Sequence, residues 1–141
     1  MDVIPDYFEQ RISTYRALLA RLLTSQALPF DSNLRGSLPE RPGIYRIFES
    51  DGDTLEALRA GRTKVAAGGL RQRVYQNHLM GDQDGNLRAQ LVNDGKCVDK
   101  DAAKEYLRER CRVQYLVIEN EEERKCAEHF MLAILKPKYS D

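Results

Sequence analysis

Gly43-Ile44-Tyr45 runs into Arg46-Ile47-Phe48-Glu49, and Ser50-Asp51-Gly52-Asp53 follows directly. Tyrosine, isoleucine and phenylalanine favour the pleated strand, while the Asp-Gly pair is a strong hairpin turn signal. The reading is a strand over about Ile44 to Glu49, a turn, and a second strand over about Leu55 to Gly61. This hairpin decides the fold class, because everything after it is predominantly helical.

Downstream, Lys64 to Gly69 is a small-residue loop with two adjacent glycines, feeding a helix over Leu70 to Met80. Asp82 to Gly85 breaks that helix, and short helices are expected over Asn86 to Val92 and Asp101 to Arg110. Arg112 to Glu119 alternates apolar and polar residues as a third strand does. The last helix starts at Asn120, a good N-cap with Glu123 in the capping-box position, and ends at Pro137. Upstream, Phe8, Ile12, Tyr15, Leu19, Leu22 and Leu23 form an amphipathic helix, and Ser25 to Pro42 reads as an irregular linker. The expectation is α+β: a small, three-stranded, mostly antiparallel sheet flanked by helices, with an N-terminal helical extension.

At 141 residues the chain is long enough to bury a core, and 42% hydrophobic against 31% charged residues is an ordinary globular balance. The longest apolar run, Phe130 to Leu135, is too short to cross a bilayer, and nothing near Asp2 and Asp6 reads as a signal peptide. Cys97, Cys111 and Cys126 are odd in number and lack close-pair spacing, which fits neither a disulfide framework nor a zinc site. A cytoplasmic location with reduced, structural thiols is expected, and no membrane partner. Net charge is zero, yet Arg59, Arg62, Lys64, Arg71 and Arg73 fall in a stretch to Met80 that contains no acid. Such a stretch is either a solvated helix face or a local phosphate-contacting face.

These motifs, in this order, resemble the GIY-YIG nuclease superfamily. There a Gly-Ile-Tyr strand pairs with a Tyr-Ile-Gly strand, followed by an arginine helix and a glutamate helix. Gly43-Ile44-Tyr45, Arg73 and Glu128 fall at matching positions; the second strand keeps Gly61 but has Arg59 for the tyrosine. The match is closest at the C-terminus. In the family's excision-repair nucleases a Glu-His pair precedes a proline-basic-tyrosine-asparagine run by nine residues, and here Glu128-His129 precedes Pro137-Lys138-Tyr139-Ser140. The resemblance covers about Leu38 to Asp141. It implies an N-terminal segment over 1–37 (helix and linker) and a nuclease-like domain over 38–141.

The implied function is a metal-dependent endonuclease hydrolysing phosphodiester bonds. Tyr45, Arg73 and Glu128 would be its catalytic residues, with Glu128 also the metal ligand for Mg²⁺ or another divalent cation. Nucleic acid would be the partner, DNA ahead of RNA, contacted through Arg59, Arg62, Lys64 and Arg71. Arginine suits phosphate because its planar fork donates to two oxygens at once. A phenol titrating near pH 10 needs positive charge nearby to act as a base. Each residue also has a structural reading. Tyr45 is an ordinary residue of a half-buried strand, and Arg73 a flank arginine. Taking the last helix as a stripe of Ala127, Phe130, Met131 and Ile134, Glu128 falls at its edge, within reach of Arg124 one turn earlier. His78 lies five residues after Arg73, whereas relatives often place a histidine one helical step earlier; packing or capping is its expected role. Arg59 could hold phosphate and assist Tyr45, or repel a metal. The alternative function is a catalytically degenerate domain that binds nucleic acid, or a protein-interaction module whose N-terminal helix mediates a homodimer or docks a partner.

Overall fold

The structure is a computed structural model and describes residues 3–51, 55–64, 68–81 and 85–139. Part of the turn at Ser50 to Asp53, of the loop Lys64 to Gly69 and of the break Asp82 to Gly85 lies outside these residues, as does Ser140.

The elements run α1 (Asp6–Thr24), β1 (Leu28–Pro29), α2 (Leu34–Ser37), β2 (Gly43–Glu49), β3 (Arg59–Arg62), a π-helix (Arg71–Met80), α3 (Leu87–Asn93), α4 (Lys100–Arg110), β4 (Cys111–Val117) and α5 (Glu121–Leu135). The fold is α+β, and its sheet has four strands in the order β1-β4-β2-β3, where three were expected. The fourth comes from the expected linker: Leu28 pairs with Val113 and Pro29 with Arg112, antiparallel. A two-residue strand leaves no periodicity to read, but tertiary pairing supplies it. The same segment buries Phe30, Leu34 and Leu38.

β2 is central, with Tyr45 opposite Gly61 on β3 and opposite Tyr115 on β4. Helices cover both faces of the sheet. On one, Tyr45, Ile47, Cys111 and Val113 pack with Leu70 and Val74 of the arginine helix, Leu87 and Leu91 of α3, and Leu107 of α4. On the other, Ile44, Ala60 and Leu116 meet Leu19 and Leu22 of α1 and Ala127, Met131 and Leu135 of α5. A strand enclosed on both faces is buried throughout, so Tyr45 is not in the half-buried setting its sequence suggests. Burial also pushes the Cys111 thiol up to about 12 and raises Cys97, which keeps both unreactive.

The start of β2 is fixed by close packing. A Cβ on Gly43 would stand 2.2 Å from the carbonyl oxygen of Leu116, so only glycine lets β4 approach. Gly43 N–H donates to Thr63 Oγ1 (3.1 Å) and Thr63 N–H to Gly43 O (3.0 Å). Leu70 N–H donates to Arg41 O (2.9 Å) and Arg71 N–H to Pro39 O (3.0 Å), anchoring the arginine helix beside β2. No helix among the described residues is long and apolar enough to cross a membrane.

The N-terminal helix is fastened to the sheet by a buried polar relay. Arg46 Nε donates to Gln114 Oε1 (2.9 Å), and Gln114 Nε2 donates to Leu23 O and Ser25 O (both 2.9 Å). Gln114→Leu removes this link and strands buried partners, at a cost of about 1–3 kcal/mol. The expected outcome is a lower urea midpoint, with α1 amides losing hydrogen-exchange protection before β2. An unchanged midpoint would show the relay to be dispensable.

Candidate functional site

The end of β3 is where the motif residues gather. Successive strand residues point to opposite faces, so Gly61 and Arg62 address different sides of the sheet. On the Gly61 side stands Tyr45, whose ring crosses over the glycine; a Cβ there would lie 3.0 Å from its hydroxyl. On the Arg62 side stands Glu128, carried by α5.

Tyr45 is fully buried, and its hydroxyl lies 2.7 Å from His78 Nε2. The other ring nitrogen, Nδ1, accepts the backbone N–H of Leu87 at 3.1 Å. That N–H can only donate, so Nδ1 carries no proton in the neutral ring. The proton then sits on Nε2, which donates to the tyrosine oxygen. His78 therefore does two tasks: it satisfies an orphan N–H in the first turn of α3, and it fixes the phenol. Burial, followed by the positive charges of Arg59 and Arg73, holds its pKa well below the usual histidine value.

The helix that carries His78 explains why its role was not legible. The expected α-helix is a π-helix from Arg71 to Met80, long for a winding usually confined to single turns. In an α-helix a five-residue step turns a side chain about 140° away from its origin. In π winding the hydrogen bonds close over five residues, so Arg73 and His78 stack across one turn. The one-residue offset from the four-residue spacing of relatives is thus absorbed by the backbone. The Arg73–His78 spacing was the available signal.

Arg59 belongs to the same buried layer. It is 1% exposed, and its guanidinium donates to Gly85 O (2.9 Å) and Gln90 Oε1 (2.5 Å). The structure thus places it in the interior, tying β3 to α3, rather than on a surface open to phosphate. Arg71 bridges to the segment before β2 through Leu38 O (2.9 Å) and Glu40 (2.5 Å). Lys64 is exposed.

Glu128 departs from its expected setting. The buried face of α5 is Arg124, Ala127, Glu128, Met131 and Leu135, while Ile134 is 50% exposed. Glu128 is therefore inside that face, not at its edge, at 6% exposure. Its partner is Arg62, by a salt bridge through Oε1, and not Arg124. Arg124 is engaged by the carbonyls of Thr63 (3.0 Å), Ile118 (3.0 Å) and Glu119 (3.1 Å). Polar residues inside the face shift its phase from the one read from apolar residues alone. This arrangement does not fit a resident divalent ion. The carboxylate is a single one, a guanidinium already holds it, and no group of three or more His, Cys, Asp or Glu among the described residues could hold a metal.

Comparison with models of known protein families finds none that matches this chain, and a search of curated proteins finds no match.

The buried histidine gives a pH signature. The unfolded chain binds a proton at His78 below about pH 6.5, while the folded chain refuses it, so stability is full above that value and falls as pH drops. The slope from one such group approaches about 1.4 kcal/mol per pH unit between about pH 6.5 and 5. His78→Gln should flatten that decline in urea titrations. A variant with the parent's slope would show that His78 titrates alike in both states.

Proposed function

We propose that this chain is a GIY-YIG-like endonuclease domain that hydrolyses phosphodiester bonds in nucleic acid, DNA ahead of RNA. What carries the reading is the Tyr45 hydroxyl, oriented by a neutral His78 over Gly61 and beside the charge of Arg73. A donor hydrogen bond and nearby guanidinium charge favour oxyanion character at a phenol oxygen, which a proton-accepting tyrosine requires.

In this reading a water oxygen attacks phosphorus and gives its proton to Tyr45 as the phenolate. The bond from phosphorus to the leaving sugar oxygen breaks, and that oxygen takes a proton from solvent. Arg73 holds the non-bridging oxygens as charge builds on them. Arg62, Lys64 and Arg71 flank the strand and helix that carry these groups and are the proposed phosphate contacts. Mg²⁺ is the proposed cofactor, and Glu128 its proposed ligand.

One observation favours the alternative, a degenerate domain that binds nucleic acid without cutting it. Tyr45 is closed to solvent, and the residue in place of the second tyrosine, Arg59, is committed to α3. Nicking of supercoiled plasmid with and without Mg²⁺, beside a salt titration of binding, separates the two. Under the nuclease reading the parent nicks DNA with Mg²⁺, and Tyr45→Phe and Arg73→Ala each lose roughly 10²–10³ in rate with the fold intact. A Tyr45→Phe protein that cuts at the parent rate removes the phenol from the mechanism. Under the binding reading the parent never cuts, and Lys64→Ala lowers the slope of log affinity against log salt by about one contact.

A further inference from the structure

The pairing of Arg62 with Glu128 has no part in the chemistry above, yet it occupies the carboxylate on which that chemistry would place an ion. Arg62 comes from the end of β3 and Glu128 from the middle of α5, so the contact is long-range. Glu128 is the more enclosed partner, at 8% side-chain exposure against 19% for Arg62. A carboxylate so enclosed needs a positive partner, because leaving it charged and alone is costly. A divalent cation answers that need as well as a guanidinium does, but not both at once, since the two like charges would meet at hydrogen-bond distance.

We propose that Arg62 is a displaceable internal counter-ion that keeps Glu128 closed to divalent cations until a phosphodiester draws the guanidinium away. The guanidinium fork pairs with phosphate as readily as with carboxylate, and it lies at the more accessible end of the pair. Its neighbour in sequence, Gly61, lies under Tyr45, so a phosphate taken by Arg62 arrives at the tyrosine end of the site. Binding is then ordered: the anion enters first and releases the carboxylate, and the cation enters second. The protein without nucleic acid holds no metal at this position, and phosphate contact and metal entry are coupled through one side chain.

The inference rests on the reading of Glu128 as the metal carboxylate, and its test reads metal binding rather than cutting. Mn²⁺ binding to the full chain is followed by calorimetry and by the loss of the free-ion electron paramagnetic resonance signal, without nucleic acid. Arg62→Gln should bind Mn²⁺ at least about tenfold tighter than the parent, and the double variant Arg62→Gln/Glu128→Gln should lose that gain. Independently of any Arg62 variant, a short DNA duplex should give the parent an added Mn²⁺ site that Glu128→Gln lacks. A parent that binds Mn²⁺ alone as tightly as Arg62→Gln overturns the proposal. So does an Arg62→Gln protein that folds by circular dichroism and gains no site, or a duplex that gives the parent no more Mn²⁺ sites than it gives Glu128→Gln. If Arg62→Gln gains Mn²⁺ while no form of the protein cuts DNA, the counter-ion role stands and the nuclease reading alone falls.

Discussion

A central strand enclosed on both faces can carry tyrosine and arginine only if each polar atom is met inside the protein. β2 and its neighbours carry Tyr45, Arg46, Arg59 and Gln114, all buried. Each is satisfied by a group from another element, so the polar contacts double as the fold's fasteners. Tyr45 and His78 join β2 to the π-helix and, through Leu87, to α3. Arg59 joins β3 to α3, Gln114 joins β4 to α1, and Arg124 joins α5 to the end of β3. A satisfied hydrogen bond adds only about 1 kcal/mol, but an unsatisfied buried group costs more, so these contacts exclude wrong packings more than they add stability.

The hairpin, α4, β4 and α5 were legible because each announces itself locally. The Asn120 cap is an example: its side chain accepts the N–H of Glu123 at 2.8 Å, as the capping signature implies. Three features were not legible, each for a different physical reason. β1 is too short for periodicity and exists through pairing alone. The π winding changes the angle per residue, so a wheel drawn at the α-helical angle put His78 with the packing residues and missed its reach to Tyr45. On α5 the apolar stripe gave the wrong phase, since Arg124 and Glu128 are inside the buried face and Ile134 is outside it. Of the candidate site residues, the strand and helix positions could be read in sequence, but not their partners. Arg62 with Glu128 and Arg59 with Gln90 are long-range pairs that no local pattern encodes.

The site has an unusual economy of geometry. Tyr45 and Glu128 approach from opposite faces of the sheet, yet each meets one of two consecutive residues, Gly61 and Arg62. The two-residue period of a strand produces that division without any loop. A small tilt of the β3 end would therefore change both halves together. Thr63, whose backbone and hydroxyl are locked to Gly43, restrains that tilt from the next position.

Beyond β3, the chain returns once more. Lys138 N–H donates to Ala57 O (3.0 Å) and Tyr139 N–H to Leu58 O (2.8 Å), and Tyr139 pairs in parallel with Arg59. Tyr139 is pinned by its hydroxyl to Asp94 (2.8 Å). At the opposite margin of the sheet, β1 is two residues long and includes Pro29, which has no N–H to offer. Both margins are thereby blunted against strand addition by a foreign chain, the usual route from a sheet to a fibril. Solubility at high concentration is thus vested in the tail, whose release would bare the backbone of β3 as a template for its own kind.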